Sequence, residues 1–355
     1  MASVAGCGVF GPLPRGLRGE VAGACKAGAR ALWDLQSSLG HFPSPVVGLL
    51  RSGHATTGLA LGALFGLPPL WRQAPPAGFD NAVKFLLRSR DGAGALGRPA
   101  ASVEYPVYAT ALALRALSHR AGQPQVDLAQ TILWLRAQQL TEGWEGHAAF
   151  GGFPLGDRTP VPPDAGHVDL SMTAMAIEAL TLWGAKPGMV EVDAARAFAV
   201  RCRSGDGFVY SPVDLATNKA GCKGSDAASC APYGSATVDG LRVLLATGPE
   251  DAPEVVAAHR VLKAMHRVDR NPGLEGGPME AFGPAMRLYY LAGAATLFRR
   301  LGGPEGWRES LCGSLLEAQG ADGTWRGTSG LQKEDCPVVA TSLALRALAA
   351  ASSRE

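Results

Sequence analysis

Two apolar patterns alternate along the chain. The first is a stripe, with apolar residues at helical spacing and Arg, Gln and Asp between them, running into an acidic or small residue and then glycine: FLLRSRDGAGALG from Phe85, WLRAQQLTEGWEG from Trp134, FAVRCRSGDGFVY from Phe198 and LLEAQGADGTWRG from Leu315. This predicts amphipathic helices stopped by glycines that tolerate a left-handed backbone. The second pattern is apolar on most faces and rich in Ala and Thr: YATALALRAL, SMTAMAIEAL, GSATVDGLRVLL and VATSLALRAL, with Thr110, Thr173, Thr237 and Thr341 in one column. A helix that is apolar nearly all round is one that is buried nearly all round. Two looser copies, 33–36 leading into HATTGLALGALFG and 262–268 leading through NPGLEGG into FGPAMRLYYLAGAATLF, bring the total to six helix pairs.

Six such hairpins predict an all-α fold, an (α/α)6 toroid with the second helices as its inner ring. The toroid occupies 21–355 as a single domain after an N-terminal extension over 1–20. A ring that closes on itself needs no polar terminal repeats; an open solenoid is the competing arrangement. The glycines Gly92, Gly143, Gly207, Gly273 and Gly323 recur 50 to 66 residues apart, longer than ordinary helical-hairpin repeats. The extra residues must lie in loops between helices, where functional groups concentrate.

Composition narrows the possibilities. Of 355 residues, 47% are hydrophobic and 18% charged, enough to bury a large core in one closed body. The net charge is +2, and no basic run exceeds Arg299-Arg300, which gives a nucleic-acid partner no electrostatic footing. The uncharged stretch between Arg51 and Arg72 carries His54 and Pro68-Pro69, so it reads as a core helix and loop instead of a membrane span. Residues 1–14 lack a charged segment followed by an apolar one, so no export signal is read there. The seven cysteines show no CxxC spacing, which suits buried free thiols in a reducing cytoplasm. Peripheral membrane contact is left open, and no obligate protein partner is evident. Frequent Arg, Ala and Gly suit a GC-rich bacterial gene.

The pattern aromatic-Leu-x-x-Gln followed by Asp-Gly-x-Trp, best seen at 316–325 and 134–144, resembles the QW repeat of squalene and hopene cyclases. The chain is thereby similar to the terpene cyclase and protein prenyltransferase superfamily, and most of all to its short, single-toroid bacterial prenyltransferase/squalene-oxidase repeat proteins. The resemblance implies an (α/α)6 toroid around an apolar cavity that takes an isoprenoid or other lipid. Class II cyclases of this family protonate an alkene with the central Asp of a DxDD motif followed by Thr-Ala. The matching positions here are Asp169, Leu170, Ser171 and Met172, then Thr173-Ala174, so Ser171 stands at the acid position. A serine hydroxyl is far too weak an acid for that step. The zinc ligands of a prenyltransferase β subunit are not matched either: Asp226 and Cys230 have the wrong spacing, and Ala340 precedes Thr341 where a His would stand. No DDxxD cluster is present for magnesium and diphosphate. No cofactor and no metal are expected.

Asp169, His167 and Asp239 are the candidate acids and their helper. Asp169 also reads as an ordinary helix N-cap. Asp239 interrupts an apolar helix; it either pairs with Arg242 one turn on or faces the cavity, where burial raises its pKa. Arg115, Glu178, Arg242 and Arg346 share one repeat column and are expected to pair between neighbouring inner helices. Glu104, beside Tyr105 and Pro106, is a further acid at an inner-helix start. Tyr105, Tyr108, Ser171, Tyr233, Phe282 and Tyr289 are the candidate cavity residues, the five aromatic ones carrying rings suited to an apolar or cationic guest. Trp144 and Trp325 belong to repeat packing. Two long loops, 150–169 and from Asn218 onward, are expected to cover one mouth of the ring.

The leading functional reading is a degenerate class II cyclase-like protein holding an isoprenoid. A non-catalytic lipid-binding or protein-interaction scaffold is the alternative. Glycoside hydrolysis in the same barrel would need paired carboxylates across the cavity.

Overall fold

The computed structural model describes residues 13–99, 104–120 and 127–353. Its helices are α1 Arg15–Asp34, α2 His54–Gly66, α3 Gly78–Arg88, α4 Pro106–Leu117, α5 Ala129–Ala137, α6 Leu170–Leu182, α7 Val190–Arg201, α8 Gly234–Thr247, α9 Pro253–Met265, α10 Phe282–Ala285, α11 Arg287–Leu301, α12 Trp307–Glu317 and α13 Pro337–Ser352. Strand structure among the described residues amounts to two antiparallel pairs of two-residue strands, 153–154 with 168–169 and 203–204 with 207–208. Helix α1 starts inside the stretch read as an extension, and residues 1–12 lie outside the described residues.

The ring closes. Helix α2 packs on α4, α4 on α6, α6 on α8, α8 on α11, α11 on α13 and α13 back on α2, while α1 also meets α12. The inner helices are the Ala/Thr-rich ones: α4 and α8 bury almost every residue. The outer helices bury a stripe, such as Val255, Ala258 and Leu262 of α9, which lie at i, i+3 and i+7. Small residues let inner helices approach closely. A Cβ on Gly58 of α2 would sit 2.8 Å from the backbone N of Ala113 in α4.

The threonine column has one job in the five hairpins that carry it. Its hydroxyl accepts the buried N–H of the loop residue that follows the outer-helix stop: Leu96 to Thr110 (3.0 Å), Phe153 to Thr173 (3.1 Å), Phe208 to Thr237 (3.3 Å), Trp325 to Thr341 (3.0 Å), and Phe42 to Thr57 (2.9 Å). Each bond pins an outer-helix exit to an inner helix and satisfies a donor that burial would otherwise leave unpaired. The stop glycines differ from expectation in two copies. The left-handed positions are Gly94 and Gly205, not Gly92 and Gly207, whereas Gly143, Gly273 and Gly323 do adopt positive φ. Gly207 instead serves packing: a Cβ there would meet Pro232 at 2.7 Å.

The expectation of free thiols throughout is corrected. Cys222 and Cys230, eight residues apart, form a disulfide across a loop that folds back so that the two residues face each other as a β-bridge. A search for CxxC spacing does not see a bond set by loop reversal. Cys25, Cys202, Cys312 and Cys336 are free and buried, and Cys7 lies outside the described residues. Among the described residues, no helix is long and apolar enough to cross a membrane.

Candidate functional site

The starts of the six inner helices and the loops leading into them enclose a cavity of about 500 Å3. Ala55, Thr56 and Leu59 come from α2; Tyr108 and Leu112 from α4, with Tyr105 at its cap; Ser171 and Met172 from α6, with Asp169 at its cap. Ser235 and Asp239 of α8, Tyr289 of α11 with Met286 at its cap, and Val339 and Leu343 of α13 complete the wall. Leu50, Leu155, His167, Tyr210, Lys219 and 332–334 enter from loops. This is the common size and make-up of a small-molecule site, mostly apolar with a few convergent polar groups.

Two polar groupings stand in that wall. In the first, Asp169 caps α6 by accepting the Met172 N–H at 2.7 Å, and its other carboxylate oxygen lies 3.1 Å from His167 Nε2. The Tyr210 hydroxyl meets the same His167 nitrogen at 3.1 Å. The hydrogen bond to Asp169 draws the His167 pKa above its ordinary value, against the opposing effect of burial. The carboxylate that caps α6 therefore also belongs to the cavity wall.

The second grouping centres on Asp239. Its carboxylate accepts from the Tyr289 hydroxyl (2.9 and 3.0 Å) and from Arg242 Nη1 (2.7 Å). The Tyr289 oxygen lies 2.6 Å from Ser171 Oγ. A buried carboxyl thus stands one hydroxyl away from Ser171. Burial pushes the Asp239 pKa from 3.8 up to about 6, with Arg242 and the Tyr289 hydrogen bond pulling the other way. The pairing with Arg242 and the orientation toward the cavity are both realised.

Two helical turns beyond Tyr108, Ser171, Ser235 and Val339, on the same inner faces, lies the charged column. Arg242 binds both oxygens of Glu178 (2.8 and 2.7 Å), and Glu178 also pairs with Arg115. The expected pairing between neighbouring inner helices holds for these three. Arg346, the fourth member, makes no ion pair among the described residues; burial and the nearby Arg242 guanidinium lower its pKa.

Of the residues singled out from sequence, Asp169, His167, Asp239, Tyr105, Tyr108, Ser171 and Tyr289 come together on one cavity. Tyr233 and Phe282 do not line it. Tyr233 is fully buried and packs against Gly273, and Phe282 is half-buried behind Lys219. Glu104 lies outside the wall, buried, with its carboxyl accepting from Ser52 Oγ and its pKa raised by desolvation. Sequence reasoning missed Lys219, Lys333 and Glu334. Glu334 is buried and accepts the Leu288 and Tyr289 N–H groups (2.9 and 2.7 Å), capping α11 from a distant loop, and burial pushes its pKa up to about 7. Lys219 belongs to the second mouth-covering loop, so its neighbourhood was visible even though its role was not.

The sequence matches no protein-family model, and no curated protein matches it. Solved structures do resemble the fold. A variant of the type II terpene cyclase MstE from Scytonema, in complex with its substrate geranylgeranyl dihydroxybenzoate, superposes with a TM-score of 0.64 at 12% identity, covering 96% of this chain and 99% of that one. A protein from Actinoplanes gives 0.61 at 17% identity, covering 94% and 100%. A glycosidase variant in complex with glucose gives 0.52 at 13% identity, covering 95% and 98%. At these identities the likeness concerns architecture: this chain has the helical toroid fold of the type II terpene cyclases.

Proposed function

We propose that the protein binds an isoprenoid in its central cavity and isomerises it by proton-initiated cyclisation, with Asp239 as the acid. The observation that carries this reading is the chain Asp239–Tyr289–Ser171, which brings a buried carboxyl of raised pKa to the wall where the family's acid acts. A carboxyl with a pKa near 6 holds its proton in a useful fraction of molecules near neutrality, and an acid must be protonated before it can donate. Asp239 would transfer that proton to a terminal alkene carbon of the ligand. The resulting cation would migrate as ring bonds form, under the negative face of Tyr108. Loss of a proton from a later carbon to the Asp169–His167 pair would end the reaction, leaving a product with the mass of the substrate. The apolar wall of Leu50, Leu59, Leu112, Leu155, Met172 and Leu343 suits such a guest and excludes the water that would quench the cation.

The test is incubation of the purified protein with prenylated substrates, including geranylgeranyl-substituted aromatic acids, followed by chromatography for products of unchanged mass. Cyclised isomers are expected from the parent. Asp239→Asn and Tyr289→Phe should lower their yield by about a hundredfold or more, the usual scale for a general acid, while substrate binding persists. Undiminished product from Asp239→Asn would move the acid elsewhere. Bound lipid without turnover in the parent would favour the non-catalytic lipid-binding reading. Glycoside hydrolysis draws on paired carboxyl groups of the wall, but a sugar would leave its hydroxyls against leucine and methionine side chains.

A further inference from the structure

The wall of the cavity holds three carboxyl groups and two lysines, and the carboxyls are all accounted for. Asp169 is bound by His167 and the Met172 N–H, Asp239 by Arg242 and Tyr289, and Glu334 by the Leu288 and Tyr289 N–H groups. The lysines are not. Lys219 is 93% buried yet makes no ion pair or hydrogen bond through its ammonium among the described residues; Nζ lies 4.1 Å from the Tyr210 ring centroid and 5.5 Å from that of Phe282. Lys333 likewise has only an aromatic face, with Nζ 5.1 Å from the Tyr105 centroid.

A buried ammonium is costly unless something compensates it, and two ring faces are a weak substitute for an anion. Asp169 and Asp239 attract Lys219 from beyond contact distance, but burial outweighs them and lowers its pKa. The position of Lys219 is also built, not incidental. The preceding Asn218 is fully buried, accepts the Tyr210 and Ser211 N–H groups at 2.6 and 3.0 Å and donates to the Ser211 carbonyl at 2.9 Å, in the loop closed by the Cys222–Cys230 disulfide. The chain is thus held where its next side chain enters the cavity.

We propose that Lys219 and Lys333 form a subsite for an oxyanion head group, carboxylate or phosphate, carried by an isoprenoid whose tail fills the apolar part of the cavity. The inference rests on the isoprenoid reading above and adds the charge of the ligand to it. An anion between these lysines supplies the partner that the protein withholds, and it orients the chain with one end fixed, as a reaction begun at the other end requires.

Three probes of equal tail, farnesol, farnesoic acid and farnesyl monophosphate, separate the possibilities by titration calorimetry on the full chain. The parent should bind at least one of the anions about tenfold or more tightly than farnesol, the scale of one charge-assisted contact, and the stronger anion identifies the head group. Lys219→Met and Lys333→Met should each reduce that preference, and the double variant should abolish it while farnesol affinity stays within about twofold, which also reports that the cavity is intact. Lys333 is only half-buried, so its variant tests the subsite even if Lys219→Met fails to fold. Equal binding of all three probes by the parent, or a preference that survives Lys333→Met and the double variant, overturns the subsite and leaves the isoprenoid reading standing. Binding of none of the three overturns both.

Discussion

Replacing Asp239 with Asn should leave the fold at least as stable as the parent at pH 8. Asp239 is buried, and desolvation raises its pKa from 3.8 to about 6 despite Arg242 and Tyr289. An acid whose folded pKa exceeds its unfolded one binds its proton more tightly when folded. Ionisation therefore destabilises the fold as pH rises from about 4 through 6. That displacement corresponds to roughly 3 kcal/mol lost well above pH 6, with about half of it already lost at pH 5. Asn has nearly the same shape, stays neutral and keeps an acceptor for the Tyr289 hydroxyl, while Arg242 retains both oxygens of Glu178. Urea unfolding of parent and variant at pH 5 and pH 8 isolates the effect, because the difference between the two proteins cancels every other titrating group. The variant should gain about 1.5 kcal/mol relative to the parent between the two pH values. If it loses ground instead, attraction to Arg242 outweighs desolvation, and Asp239 is a structural ion-pair partner and not a poised acid.

Two further substitutions address the frame around the site. Thr173→Val deletes the acceptor of the buried Phe153 N–H and the donor to the Asp169 carbonyl, and should cost about 1–3 kcal/mol in urea unfolding. Thr110→Val, which orphans the Leu96 N–H, should cost a similar amount; negligible losses at both would show that the threonine column does not pin the hairpins. Cys222→Ser opens a short loop and should lower stability by about 2–3 kcal/mol under non-reducing conditions. Peptide mapping of the unreduced parent should recover Cys222 and Cys230 in one linked species, and unlinked peptides would contradict the pairing.

The fold was legible because each repeat carries its own local instruction. Apolar periodicity separates outer from inner helices, and threonines mark where five of the six hairpins are pinned, so reading one copy reads most of the others. The pairing of Glu178 with Arg115 and Arg242 was legible for the same reason, since residues in one column of a closed ring must be neighbours. The left-handed glycines were less so. RSRDGAGALG offers several glycines, and which one turns depends on how the loop meets the next helix, a tertiary matter that put Gly94 and not Gly92 at positive φ.

The site was legible only where it coincides with a repeat position. Asp169, Ser171 and Asp239 sit at inner-helix starts and could be named, but the contacts that define them cross the ring: Ser171 meets Tyr289 over 118 residues, and Tyr289 meets Asp239 over 50. No motif encodes such a pairing, because it exists only once α6, α8 and α11 face one cavity. A motif asks which residue occupies a position, and at 171 that residue is a serine unable to protonate an alkene. A closed ring also lets neighbouring helices reach the same space, so the absence of a carboxylate at 171 is not its absence from the cavity. The proposed chemistry therefore rests on what lies within a hydroxyl's reach of Ser171, which is Tyr289 and, beyond it, Asp239.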